Sequence, residues 1–192
     1  MTVTAVEGFV ASGLSCGIKS EGRQDLALVA TTDGSPVTAA GVFTTNRMTA
    51  APVQVCRDHL SATGGRATGV VLNSGNANAA TGAAGLADAE RMCEITAEAL
   101  GCSPDEVLVC STGWIGYPLP MDAITTGIGR ATVRDYRTWR QRGPFSVLVW
   151  QRKCALLKLP NAVQVILHAP LGGGAEGRVW SGVKAVLIDN RI

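Results

Sequence analysis

The run Val109-Cys110-Ser111-Thr112-Gly113-Trp114-Ile115-Gly116-Tyr117-Pro118-Leu119-Pro120-Met121-Asp122 constrains the fold more than any other part of the chain. The apolar residues Val107 to Cys110 read as a buried strand, which requires a sheet covered by other elements. That strand breaks at a hydroxyl-glycine pair, and a proline-started helix follows. A strand feeding a loop and then a helix belongs to a layered α/β fold, and loops of this kind are favoured places for ligands. Ser-Thr-Gly at a strand end also offers two hydroxyls and a sterically bare backbone N–H, the donors that stabilise charge on a tetrahedral acyl intermediate. The rest of the sequence shows no obvious nucleophile to match them.

A second loop of the same kind lies upstream. Ala67 to Asn73 reads as a buried central strand, and Asn73-Ser74-Gly75-Asn76-Ala77-Asn78-Ala79-Ala80-Thr81-Gly82 leads from it to a helix over Leu86 to Leu100. On that helix Leu86, Ala89, Cys93, Thr96 and Leu100 share one face, while Asp88, Glu90, Arg91, Glu94 and Glu98 point elsewhere, so it packs on a sheet. Gly101 is a natural C-cap, and Ser103-Pro104 with Asp105-Glu106 starts the next turn. Asn and Gly in the first loop also satisfy tight turns and left-handed backbone positions, which leaves a purely structural role open for it. Earlier in the chain, Asp25 to Ala30 reads as a strand, Thr31 to Pro36 as a turn, and Val37 to Thr45 as a second strand, together suggesting a hairpin or meander. Ala51 to Cys56 reads as a further short strand.

The 192 residues are 46% hydrophobic, enough for one good core or two small ones and too apolar for a disordered chain. No segment approaches the length of an uncharged apolar span, and Met1 to Glu7 lacks the pattern of a secretory leader, so the default expectation is a cytoplasmic protein without a membrane segment. The cysteines at 16, 56, 93, 102, 110 and 154 include no C-x-x-C pair. They read as small buried thiols of a reduced compartment, and no metal site is expected. With only His59 and His168, a Ser-His-Asp cluster has little to draw on, and His59 reads as a solvated helix-end residue. Gly13-Leu14-Ser15-Cys16-Gly17-Ile18-Lys19-Ser20 fails the spacing of a phosphate-binding P-loop, because Ile18 intervenes before Lys19; a Gly-rich strand or bulge near a sheet edge accounts for it better.

Net charge divides the chain. Residues 1–129 carry 6 Lys and Arg against 12 Asp and Glu, whereas residues 130–192 carry 11 against 3 and three of the four tryptophans. Arg134, Arg137, Arg140 and Arg142 interleave with Tyr136 and Trp139, a pattern open to nucleic acid or a membrane surface. No recognised nucleic-acid module accompanies it, so nucleic acid is disfavoured and a basic surface helix is the simpler reading.

Several blocks together support a specific resemblance. Gly8-Phe9, Ala11-Ser12-Gly13, Cys16 to Lys19, Asp25 to Val29, Ala40 to Asn46 with Ala50 to Val53, Leu72 to Asn78 and the Ser-Thr-Gly run occur in an order similar to that of the glutamate N-acetyltransferase (ornithine acetyltransferase) family of arginine biosynthesis. The resemblance covers residue 7 to about 129. It implies a layered α/β sandwich like that of self-processing N-terminal-nucleophile enzymes. It also implies acetyl transfer from N-acetylornithine to glutamate, yielding ornithine, with acetyl-CoA as a further co-substrate in bifunctional members and no bound cofactor. The family cuts itself between an Ala and a Thr, the freed Thr becomes the nucleophile of a ping-pong reaction, and two α and two β chains stay together. Carried over by motif, Thr112 through its hydroxyl and Gly113 through its N–H form the oxyanion hole. Asn73 to Asn78 shape the site without a direct substrate contact.

The resemblance stops near Gly129. No Met-Thr-Thr-Asp stretch, substrate-binding Lys-Gly segment or Ala-Thr-Met-Leu cleavage motif follows, and Ala131-Thr132, continuing as Val133-Arg134, reads as a coincidence. Residues 1–129 are therefore expected to form an α-chain-like domain. Residues 130–192 are expected to be a segment of other origin, from a shifted reading frame or a fusion, which sequencing of the encoding DNA would decide. Phe145 to Val149, Ala162 to Leu167 and Val183 to Ile188 remain apolar enough for strands. Three functional classes stay open: an acetyltransferase α-chain-like fragment inactive by itself, a small-molecule-binding remnant, and a nucleic-acid binder working through the basic tail.

Overall fold

Every residue of the stretch Leu26–Thr31 is buried, which places it inside a sheet covered on both faces. A computed structural model of the chain describes residues 8–133 and the backbone of segments 148–149, 163–168 and 184–188. The elements run β1 (Phe9–Leu14), β2 (Leu26–Thr31), β3 (Val37–Val42), α1 (Ala51–Ala62), β4 (Arg66–Ala67), β5 (Gly69–Asn76), α2 (Gly82–Leu100), β6 (Val107–Trp114), α3 (Met121–Val133), β7 (Leu148–Val149), β8 (Val163–His168) and β9 (Lys184–Ile188). Two sheets form, ordered β1-β2-β5-β6 and β4-β3-β8-β9-β7. This is the layered α/β class expected from the sequence.

The first sheet carries the core. β1 and β2 are antiparallel, β2 and β5 are antiparallel, and β5 and β6 run parallel, joined through α2. Leu26, Leu28, Val70, Val71, Val107, Leu108 and Val109 are all fully buried in it, each worth about 1.5–3 kcal/mol of transfer free energy. The helices supply Cys56, Met92, Cys93, Ile124 and Ile128 to the same cluster. α2 ends where Gly101 turns left-handed at φ 72°, as the sequence predicts.

Two readings of the sequence are corrected. β2 and β3 are consecutive but do not form a hairpin: β2 pairs with β1 and β5, while β3 enters the second sheet. The all-buried pattern of β2 and the half-exposed pattern of β3 are the physical reason, since the two strands serve layers with different surroundings. The stretch beginning Ala51-Pro52-Val53-Gln54-Val55-Cys56 is helical, not extended. Pro52 sits in the first turn, where its missing N–H costs nothing, and Pro52, Val55 and Cys56, spaced i, i+3, i+4, bury one face of α1. The strands expected from the apolar stretches after residue 144 correspond to β7, β8 and β9.

α1 covers an edge that the strand order leaves open. Among the described residues β6 has no strand beyond it. Cys56 donates its thiol to the Val109 carbonyl at 3.1 Å and accepts the Val109 N–H at 3.3 Å. His59 Nδ1 donates to the Val107 carbonyl at 2.8 Å. Side chains of a helix thereby satisfy backbone groups that would otherwise invite another strand. His59 is at the helix end, as expected, but its side chain is 12% exposed with Nε2 3.7 Å from Asp105, so it is an edge cover and not a solvated residue.

Candidate functional site

The ends of β5 and β6 create the site. In the parallel register Ser74 lies beside Thr112 and Gly75 beside Gly113. Gly113 has φ 137°, and a Cβ there would overlap the backbone of Gly75 and Asn76. Only glycine allows the two strand ends to approach this closely. Gly75, at φ 110°, is constrained less severely, since a Cβ would lie 2.8 Å from Ile18 Cγ2 and 3.1 Å from Lys19 Cγ, which are side-chain atoms.

Val107 and Val109 turn their polar groups to α1. Past the end of that cover the register with β5 shifts between Gly75 and Asn76, and Ala77 N–H donates to the Trp114 carbonyl at 2.9 Å. Thr112 is half-buried. Thr112 and Gly113 both line a cavity of about 690 Å³, together with Ser74, Gly75, Asn76, Trp114 and Tyr117.

The two loops are stitched to each other. Asn76 Nδ2 donates to the carbonyls of Tyr117 at 3.1 Å and Pro118 at 2.8 Å, and Gly116 N–H donates to the Ala79 carbonyl at 2.8 Å. Asn78, fully buried with φ 46°, donates to the Gly85 carbonyl at 2.7 Å and accepts the Thr81 hydroxyl at 2.7 Å. Left-handed backbone at Asn78 and at Ala80 is thus held by side-chain bonds that offset its cost of about 1–3 kcal/mol. Several polar atoms here stay unsatisfied: Asn73 Oδ1, Ser74 Oγ and Ser111 Oγ are buried without hydrogen-bond partners among the described residues. Such atoms mark a place where the fold has not spent all its bonding capacity internally.

A third segment, which sequence reading reduced to a failed P-loop, completes the cavity wall. Ile18, Lys19, Ser20 and Arg23 come from the turn between β1 and β2. Asp25, fully buried at the head of β2, accepts the N–H groups of Cys16 at 2.7 Å, Gly17 at 3.1 Å and Lys19 at 2.9 Å. Burial works against its ionisation, but the N–H bonds of Cys16 and Lys19 and the Cys16 thiol outweigh it and hold the carboxyl below its usual range. The same surroundings push the Cys16 thiol up to about 12, through burial first and the Asp25 hydrogen bond and charge next, so it is not a nucleophile at neutral pH. An acid opening an otherwise apolar strand was the one sequence signal for this anchored turn, since a buried carboxylate must find donors.

The buried thiols Cys93 and Cys110 are likewise raised by desolvation. Among the described residues no group of His, Cys, Asp and Glu could hold a metal ion, and no helix is long and apolar enough to cross a membrane. The basic stretch Arg134 to Arg142 with Tyr136 and Trp139 lies outside the described residues.

Comparison with known proteins points in one direction. A sequence model of the ArgJ family matches residues 10–142. The arginine biosynthesis bifunctional protein ArgJ of Streptomyces coelicolor is 50% identical over 131 residues, which are 68% of this chain and 33% of that protein. The same protein of Parasynechococcus marenigrum is 43% identical over 171 residues, 89% of this chain and 39% of that one. The chain therefore spans little more than a third of the length of these curated relatives. Among solved structures, ornithine acetyltransferase from Mycobacterium tuberculosis, complexed with ornithine, superposes with a TM-score of 0.65 at 34% identity, covering 95% of each chain.

Proposed function

The chain belongs to the ArgJ family, and from that premise we propose that it contributes the oxyanion side of an acetyl-transfer site of arginine biosynthesis. The observation that carries this reading is the place of Thr112 and Gly113 at the end of β6, on the wall of a cavity. The nucleophile is a threonine in the part of the family's length that this chain does not span, freed by self-cleavage. Its hydroxyl attacks the acetyl carbonyl of N-acetylornithine, and the charge that develops on the carbonyl oxygen is received by the Thr112 hydroxyl and the Gly113 N–H. Collapse of that intermediate expels the ornithine amine, and the amine of glutamate then takes the acetyl group from the enzyme. Acetyl-CoA serves as an alternative acetyl donor. The α-like and β-like chains act together as a tetramer, in the cytoplasm.

The test is an acetyl-transfer assay with N-acetylornithine and glutamate. The purified chain alone is expected to give no turnover, and turnover is expected once the C-terminal chain of an ArgJ relative is added. In that mixture Thr112→Ala should lower kcat by roughly 10²–10³-fold, the usual effect of removing an oxyanion donor. An unchanged kcat would sink the assignment, and saturable ornithine binding without turnover in the mixture would favour a binding remnant.

A further inference from the structure

Most polar side chains on the cavity wall already have work within the fold. Asn76 Nδ2 donates to the Tyr117 and Pro118 carbonyls, its Oδ1 accepts the Asn78 N–H at 2.9 Å, and Lys19 Nζ donates to the Gln24 carbonyl at 3.5 Å. Ser74 differs. Its hydroxyl oxygen is buried without a hydrogen-bond partner among the described residues, although the residue lines the cavity beside Thr112. A buried hydroxyl in a folded chain calls for a partner, because nothing replaces the water it has lost.

The strand register supplies that partner. Ser74 of β5 and Thr112 of β6 are directly paired in the parallel ladder, and the pairing is regular at this point, since the register shifts only between Gly75 and Asn76. Neighbouring strands lie about 4.8 Å apart, and successive side chains alternate between the two faces of a sheet. Ser74 and Thr112 therefore project from the same face, the one on the cavity, whereas the preceding pair, Asn73 and Ser111, projects from the other. Hydroxyls on paired residues one strand spacing apart come into bonding range by rotation about χ1 alone. The Ser74 backbone is held in place for this, its N–H donating to the Asp25 carbonyl at 2.8 Å.

We propose that Ser74 is a positioning residue for the oxyanion donor: its hydroxyl donates to Thr112 Oγ1 and so fixes the Thr112 rotamer with the Thr112 O–H aimed into the cavity. The proposal rests on the acetyl-transfer reading and names what orients its side-chain donor. A hydroxyl carries one proton and two lone pairs. With nothing donating to it, Thr112 is free to turn its proton among several staggered positions, most of which miss an acyl oxygen. With Ser74 behind it, the O–H is oriented before charge develops, and the bond it accepts strengthens the one it gives. Ser74 keeps its own proton throughout and acts through Thr112, not on the substrate.

NMR of the 192-residue chain reads the Thr112 rotamer directly, through couplings from its γ-methyl carbon to the backbone nitrogen and carbonyl carbon. The parent should show a single χ1 rotamer, Ser74→Ala an average over rotamers, and Ser74→Thr, which keeps the hydroxyl, the single rotamer again. Couplings of the buried Val70 and Val107 methyls, taken from the same spectra, should stay constant. If they shift together with those of Thr112, Ser74 only holds the fold and the proposal fails. A Thr112 rotamer indifferent to Ser74→Ala would also overturn it, and would leave the acetyl-transfer reading standing. In the mixture with the C-terminal chain of an ArgJ relative, Ser74→Ala should lower kcat roughly tenfold at unchanged KM, because an orientation that matters only for developing charge acts on the transition state alone. Ser74→Thr should restore kcat, and Ser74→Ala should have no further effect in a Thr112→Ala background. A loss that persists in that background would overturn action through Thr112. A kcat unaffected by Thr112→Ala, with the rotamer still governed by Ser74, would keep the hydroxyl pair and count against the acetyl-transfer reading.

Discussion

Single residues at the site work under narrow tolerances. Gly113 is held at a backbone angle that L side chains rarely adopt, and a methyl group there has no room against Gly75 and Asn76. Gly113→Ala should therefore lower folding stability by about 3 kcal/mol, from strain and overlap together. A urea midpoint equal to that of the parent would contradict this account of the strand ends. Asp25 sets a pH dependence whose sign follows from its lowered pKa. Its ionised form is favoured in the folded state, so its contribution is complete above the ordinary value of 3.8 and is lost as pH falls through the lower folded value. Asp25→Asn should cost about 1–3 kcal/mol at neutral pH and flatten the acid limb of a stability-pH curve. Cys16 acts at the other end: with its thiol raised from 9.0 to about 12, the folded state loses stability as pH rises across that interval. Denaturant midpoints measured across both ranges, for the parent and Asp25→Asn, check both signs.

At the scale of elements, the cavity depends on two loops held by side chains. Asn76 alone bonds two carbonyls of the loop after β6 and positions the N–H of Asn78 at 2.9 Å. Asn76→Ala leaves those groups without their partner, and should cost about 1–3 kcal/mol and speed proteolytic cleavage near Tyr117. Equal cleavage rates in the variant and the parent would show that the loops are held by something else. Much of this element structure was legible in the sequence. α2 had apolar periodicity and a terminal glycine, β5 and β6 each opened on a short apolar run, and α3 followed two prolines. α1 was not legible, because Val53 and Val55 alternate like a strand, and only burial of one helical face against β6 decides between the two periods.

The whole molecule presents apolar surface next to its site. Trp114 is 70% exposed and Tyr117 57%, with their rings 5.7 Å apart and edge to face, and Ile115 lies between them in sequence. An apolar patch beside a cavity, on a chain that spans about a third of its relatives' length, is a surface of the kind that another chain covers. The purified chain alone should self-associate on gel filtration, and adding the C-terminal chain of a relative should convert it to a defined complex. A sharp monomer peak without that addition would contradict the prediction.

The sequence by itself determined the layered α/β class, the buried strands of the first sheet and the proline-started third helix, because each rests on local pattern: period, apolar run, or turn chemistry. Only the tertiary structure decided that β3 leaves β2 for another sheet, that α1 covers the edge of β6, and that Lys19 and Arg23 join the cavity. Those facts rest on contacts between residues far apart in the chain. Cys56 meets Val109 and Lys19 meets Gly75 only after the strands have chosen their order. Strand order is set by which faces can be buried together, a property of the assembled layers and not of any one segment.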